Sequence, residues 1–443
     1  MEKQSKDEPK GLKVVFRSLR YRNYRLFFGG QSISLIGTWI QRIAMPWLVY
    51  RLTDSALLLG VIGFVGQIPS FLLVPFAGVI TDRYNRYRIL IATQVLAMIQ
   101  ALILALLFFT GVIQVWHIIV LGIMLGCINA FDLPARQAFV VEMIEKRADL
   151  SNAIALNSSM VNGARLIGPS IAGVLIAATG EGICFLLNGL SYIFVILSLL
   201  MMKVAPRKVK TQNTRVIQGL KEGFAYAFGF APIRSIILLL ALVSLLGMPY
   251  AVLMPIFAKE ILHGGPHTFG FLMGASGIGA LIGAFYLASR KSVLGLGKIV
   301  ALTAALFGFG LVLFSLSRSF PLSLILMFII GTGMMMQMAS SNTILQTLAD
   351  DDKRGRVMSF YSMAFIGTAP FGSLIAGGLA NSIGAPNTLI FGGLLCIIGA
   401  TIFATRLPKL NKLVHPIYVK LGIISEVAIG IQTASELNVP PER

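Results

Sequence analysis

Twelve mostly apolar runs, each long enough to cross a bilayer, follow one another along this chain. They lie near residues 26–50, 56–80, 88–109, 115–138, 152–178, 183–202, 235–257, 268–288, 298–316, 321–346, 357–381 and 386–405. About 20 such residues span the hydrocarbon core as an α-helix. A chain in lipid must satisfy its backbone polar groups within itself, which leaves helices or a closed barrel, and runs this long predict helices. Polar breaks separate them, such as "RLTDS" at 51–55, "ATGEG" at 178–182 and "LADDDKRGR" at 348–356. Only 12% of the 443 residues are charged, against about 25% in a soluble domain. Water therefore cannot cover the whole surface, and lipid must cover part of it. The expected class is an all-α integral membrane protein.

The basic residues set the expected orientation. Of 37 Lys and Arg, 32 fall in the first 25 residues, in alternate gaps between runs, in the centre from Lys203 to Arg234, and in the tail. The opposite gaps hold only Arg51, Lys259 and Arg318, while Arg42 and Arg165 lie inside spans. Lys and Arg favour the cytoplasmic side, so both termini are expected there, with the chain spanning the inner (plasma) membrane. Attraction to anionic lipid headgroups accounts for the net charge of +19, and no nucleic-acid partner is expected.

Little points to an enzyme. Cys127, Cys184 and Cys396 sit in apolar runs without CxxC spacing, and no histidine stands at ligand spacing from a carboxylate. Neither a metal site nor another cofactor is expected. There is no G-x-x-x-x-G-K-[ST] loop for ATP.

The longest polar interruption divides the chain. The expected organisation is an N-terminal segment 1–25, a six-helix unit 26–202, a linker 203–234, a second six-helix unit 235–405 and a tail 406–443. "GPSIAGVLIAATG" at 168–180 lies over "GSLIAGGLANSIG" at 372–384 without gaps, in the fifth span of each half. This supports a duplicated unit, and parallel repeats of this kind place the substrate site between halves near the midplane.

Two motifs then carry a resemblance. After the second span, "GVITDRYNRYR", with Gly78, Asp82, Arg83, Arg86 and Arg88, resembles the G-x-x-x-D-R-x-G-R-R loop signature of the major facilitator superfamily. Asn85 replaces the usual glycine, and Asn tolerates left-handed backbone better than most residues; Tyr87 replaces one usual basic residue. On the fifth span, "ARLIGPSIAG" is similar to the G-x-x-x-G-P-x-x-G-G signature of that superfamily's antiporters. It matches at Gly168, Pro169 and Gly173 and departs at Ala164 and Ala172. The segments 18–53 and 132–169 look like the branch holding enterobactin-exporter-like and macrolide-efflux-like proteins. The resemblance covers roughly residues 15–405. It implies the major facilitator fold, with about twelve transmembrane helices in two pseudo-symmetric six-helix bundles. It further implies proton-driven efflux of a siderophore-like or drug-like molecule, with a monomer as the expected unit. Import, lipid handling and a non-transporting sensor role stay open.

On this reading Asp82 is a cytoplasmic latch that caps the eleventh span near Gly355, where unpaired N–H groups and the helix dipole favour negative charge. Arg83 and Arg86 would pair with an acid on the fourth span, for which Asp132 is placed, with Arg136 one turn further on. Asp132 has two rival readings: a proton-coupling site, since ionisable groups at membrane depth are functional by default, or an interfacial residue. Gly168, Pro169 and Gly173 read as a helix-bending motif. Arg42 and Arg165 reach similar depth in the outer half of the membrane, with no acid at that level. They read as an anion-attracting cavity, or else as arginines bound to backbone carbonyls or snorkelling outward. Gln31, Asn129, Asn162 and Gln337 either line the path or bond neighbouring helices. "MMMQM" at 334–338 reads as adaptable lining or as lipid-facing methionine. Trp39 reads as an interfacial-belt or packing residue.

Overall fold

The computed structural model describes residues 16–203, 224–290, 292–350 and 353–423; inside its helices, the side chains at 74, 75, 78, 79, 82, 83, 147 and 148 are not described. Most of the expected linker, residues 204–223, and the end of the expected tail, residues 424–443, therefore lie outside the described residues, as do residues 1–15. Among the described residues the regular structure is all helical.

Six helices precede the linker. They are α1 (Arg22–Thr53), α2 (Ala56–Val65 continued by Ile68–Arg83), α3 (Arg86–Phe109), α4 (Val115–Glu142), α5 (Arg147–Thr179) and α6 (Glu181–Leu200). Six follow it: α7 (Ala231–Ile261), α8 (Pro266–Ser289), α9 (Leu296–Leu316), α10 (Phe320–Leu348), α11 (Arg354–Ile383) and α12 (Ala385–Lys420). Eleven of these spans are long and apolar enough to cross a membrane, counted over the described residues. The exception is α1, which is long enough but carries Gln31, Gln41 and Arg42 in its middle. It packs against α5 and α6 as a full member of the bundle.

The packing repeats itself. In the first half α1 packs on α6, α3 on α6, α2 on α4 and α3 on α4. In the second half α7 packs on α12, α9 on α12, α8 on α10 and α9 on α10. Exchanging the halves turns the first set into the second. The tight links repeat as well: Gly180 (φ 82°) joins α5 to α6, and Gly384 (φ 85°) joins α11 to α12. Both hold a left-handed backbone that glycine alone adopts freely. This is why the aligned segments 168–180 and 372–384 end on the same residue.

The halves meet along two seams, α5 against α8 and α2 against α11, which also exchange under the same operation. Both seams are tightest toward the face opposite the one where the described chain begins and ends; these are called here the far face and the terminal face. A Cβ on Gly60 would stand 2.6 Å from the Ser373 carbonyl oxygen and 2.8 Å from the Gly377 Cα. One on Gly270 would stand 2.6 Å from the Pro169 carbonyl oxygen and 2.8 Å from the Gly173 Cα. Small residues let helix backbones touch where lipid supplies no hydrophobic drive.

Some boundaries differ from the sequence reading. Helix α7 starts at Ala231, ahead of 235, and α12 runs unbroken to Lys420, past 405. Beyond the apolar run, Leu407, Leu410 and Val414 fall on one buried stripe of α12, and Leu407 lies against Gly297 of α9. Tertiary packing thus carries this helix into residues whose mean hydropathy alone would end it.

Candidate functional site

The scarce charges inside the spans fall into two groups. The first joins α3 to α4. Asp132 is buried; its carboxylate accepts from the Thr93 hydroxyl (3.0 Å) and the Gln94 amide (2.6 Å), and lies 3.4 Å from Arg136. The pairing expected between Asp132 and Arg86 is absent: Arg86 reaches Glu142 at 2.8 Å instead. Helix α4 continues to Glu142, past the apolar run that ends near 138, and carries that acid to the start of α3. Gly78 and the side chains of Asp82 and Arg83 fall outside the described residues, and with them the latch contact with α11. Asp132 thus binds two polar side chains of α3 and the arginine one turn further along α4. Asp132→Ala would leave the buried Gln94 amide and the part-buried Arg136 without this acceptor, while Thr93 keeps its bond to the Leu90 carbonyl, so it should lower stability by about 1–3 kcal/mol. A lower midpoint of thermal unfolding in detergent is the measurement.

The second group lies where the halves meet. Arg42 is 11 residues from the far end of α1 and Arg165 is 14 from the far end of α5, or about 17 and 21 Å along the axes. Met334 of α10 and Tyr250 of α7 stand at matching levels, 14 and 11 residues from their far ends. Trp39, one turn before Arg42, lies under both guanidiniums: the Cζ atoms of Arg42 and Arg165 are 4.7 Å and 6.0 Å from its ring centroid. Gly168 makes room for it, since a Cβ there would stand 2.4 Å from the Trp39 Cβ. Arg165 also reaches across the halves, with its Nη2 3.9 Å from the Met334 sulfur. Tyr250 is an electrostatic neighbour of Arg165, and Tyr192 and Arg136 are neighbours of Arg42.

Neither Arg42 nor Arg165 forms an ion pair with a carboxylate among the described residues. Arg42 is exposed and Arg165 half-buried in this state, so solvent screens them here, but two cations with only an aromatic face between them become costly once the site closes. Cation–π contact returns about 0.5–2 kcal/mol each, which leaves most of that cost unmet. The arrangement suits an anion that enters from solution.

A route is present on the terminal side. Ser158 and Ser159 of α5 and Ser359 and Ser362 of α11, the helices of the two seams, are exposed there. Exposed hydroxyls on both seam helices at this end suit a wet opening between the halves. On the far side the halves are fastened. Lys259 of α7 pairs with Asp54 at 2.5 Å, Glu260 accepts from the Tyr50 hydroxyl, and Trp47 stacks on Phe269.

The remaining sequence candidates are scattered. Gln31 is buried on α1 and Asn129 is exposed on α4. Asn162 donates to the Ser158 carbonyl of its own helix. Gln337 is buried, with its amide nitrogen unbonded among the described residues. Pro169 does not break α5, and the Gly168–Pro169–Gly173 run packs against Trp39 and α8. Nothing in the sequence marks Tyr192 or Tyr250, and of the two readings of Trp39, belt or packing, the structure places it in packing contact with both arginines. One signal was available for Trp39: it precedes Arg42 by three residues, on the same helical face.

Comparison with known proteins follows the same outline. A family model described as transmembrane secretion effector matches residues 14–417. The staphyloferrin A transporter of Staphylococcus aureus is 27% identical over 390 residues, covering 87% of this chain and 97% of that one. The multidrug efflux pump Tap of Mycolicibacterium fortuitum is 26% identical over 391 residues, covering 85% and 93%. Macrolide efflux protein A of Streptococcus pyogenes is 22% identical over 405 residues, covering 89% and 99%. A bacterial homologue of the iron transporter ferroportin, solved in an inward-facing state, superposes with TM-score 0.64 at 17% identity, covering 88% of this chain and 98% of that one. A bacterial homologue of the lysosomal transporter Spinster, inward-facing and unoccupied, gives 0.67 at 14%, covering 86% and 96%. At these identities the solved structures speak to fold alone.

Proposed function

Because the chain belongs to the transmembrane secretion effector family of the major facilitator superfamily, we propose that it is a secondary exporter of an anionic organic molecule, working by alternating access on the proton-motive force. The observation that carries the anionic cargo is the Arg42–Trp39–Arg165 cluster, two cations at the junction of the halves without a carboxylate partner among the described residues. Export, and a cargo of siderophore or drug size, are supported by relatives named for staphyloferrin A, multiple drugs and macrolides.

The terminal face is the cytoplasmic one on this reading, since 32 of 37 Lys and Arg belong to it. The halves are then fastened on the outside and open to the cytoplasm, the conformation in which an exporter collects cargo. The cluster around Asp82, Arg83 and Arg86 serves as the cytoplasmic latch that closes in the opposite conformation. Export requires the Gly60–Gly377 and Gly173–Gly270 seams to part.

The test uses purified protein in liposomes with the terminal face outward, energised by pH and electrical gradients together. Staphyloferrin A and a macrolide, the cargoes named for its relatives, are the probes. Saturable, gradient-dependent accumulation of staphyloferrin A in preference to the macrolide is the expected result. Preference for the macrolide, or uptake indifferent to both gradients, would remove the anionic-exporter reading.

A further inference from the structure

Resting on that reading, we infer that the cargo carries at least two negative charges, and that the membrane potential drives its export by acting on the return of the empty carrier. Four ionised side chains lie well inside the apolar runs of the described spans: Arg42, Asp132, Arg136 and Arg165; those of α12 lie beyond its apolar run, on the terminal side. Asp132 and Arg136, 3.4 Å apart, cancel. Arg42 and Arg165, on one indole ring, do not.

Alternating access requires this site to pass through a state closed on both sides. A site charge of +2 is costly in that state, and a dianion, one negative group per guanidinium, cancels it. A monoanion leaves one arginine uncompensated. The loaded carrier is then close to neutral at its centre, and its outward step moves little net charge through the field.

The empty carrier is different. When the terminal side is open, the site is connected to the cytoplasmic solution; when the far side is open, it senses the outside. Two positive charges therefore move inward on the return step; it meets the cost of the closed state uncompensated, which makes it the slow step, and a negative interior pulls the charges through it. Over one cycle the only net movement is the dianion leaving. The balance closes without a coupled proton or a carboxylate to carry one. If each guanidinium crosses about half of a 100 mV field, the empty equilibrium shifts about 50-fold.

The experiment needs no cargo. Ser373, buried in the α2–α11 seam beside Gly63, is changed to cysteine in a background with Cys127, Cys184 and Cys396 replaced by alanine. The protein is placed in liposomes with the far face outward and equal pH on both sides. A membrane-impermeant maleimide is applied under potassium–valinomycin potentials. Ser373→Cys labelling should slow about 50-fold at 100 mV, terminal side negative, relative to no potential. Adding R42Q and R165Q should abolish the dependence, while R42K with R165K, which keeps both charges, should preserve it and exclude misfolding as the cause. Labelling indifferent to potential in the parent, or equally responsive in the double glutamine variant, overturns the inference. The two readings fail separately. A potential-indifferent carrier that still exports an anion sinks this inference alone; a carrier that moves no anion sinks the function it rests on and this with it.

Discussion

Arg165→Gln should cut the initial rate of anion export by about 10- to 150-fold, the kinetic equivalent of a charged hydrogen bond worth about 1.5–3 kcal/mol. Arg42→Gln should fall at the lower end of that range, because its side chain is more exposed and surrenders less on losing its partner. The double variant should lose less than the product of the two, since both arginines lean on Trp39 and act on one cargo. Arg165→Lys keeps the charge but replaces a planar fork with a compact, strongly hydrated ammonium, so an intermediate rate is expected. Stability should move the other way. Removing an uncompensated cation from the middle of the bundle relieves a cost, and the thermal midpoint of Arg165→Gln should hold or rise. Initial rates in proteoliposomes and unfolding curves in detergent measure the pair of effects. Unchanged transport with a lowered midpoint would make Arg165 a packing residue and remove the basis for an anionic cargo.

The span pattern and the halves were legible because each rests on a one-dimensional signal: run length, gap charge, and a segment aligned with its repeat. The arginine pair was legible for a related reason, since a cation in the middle of an apolar run is conspicuous wherever the helix points. Contacts that depend on helix azimuth were not legible. The level of α4 against α3 was hidden too, because the apolar run of the fourth span ends near 138: with α4 running to Glu142, that acid meets Arg86 at the start of α3, and Asp132, ten residues deeper, meets Thr93 and Gln94. Trp39 reads as belt or packing from residue type alone, and what singles it out is the approach of Arg165 from another helix. The seam glycines carried no individual mark among 45 glycines, because what singles out Gly60 is Gly377, in the other half of the chain.

Those glycines are where the molecule should be most sensitive. Gly60→Leu should cut transport about 5- to 150-fold while leaving each half folded. Its side chain would be driven into the Ser373 carbonyl at 2.6 Å and the Gly377 Cα at 2.8 Å, both backbone atoms that no rotamer change can move. Gly60 and Gly377 belong to different halves, so the strain is relieved by separating them at the far face. Overpacking of this kind costs about 1–3 kcal/mol. Placed on one side of a two-state equilibrium, that is a shift of about 5- to 150-fold away from the far-closed form. The carrier would be held open to the outside, and labelling of Ser373→Cys from the far side should rise by the same factor as transport falls. Gly331→Leu is the contrast. A Cβ there would stand 1.9 Å from the Ser276 carbonyl oxygen, across the α8–α10 contact inside one half. No movement between halves relieves it, so loss of folded protein is expected instead. If Gly60→Leu failed in that second way, or left far-side labelling unchanged, the seam would be part of a rigid core, and the halves would have to part along some other line.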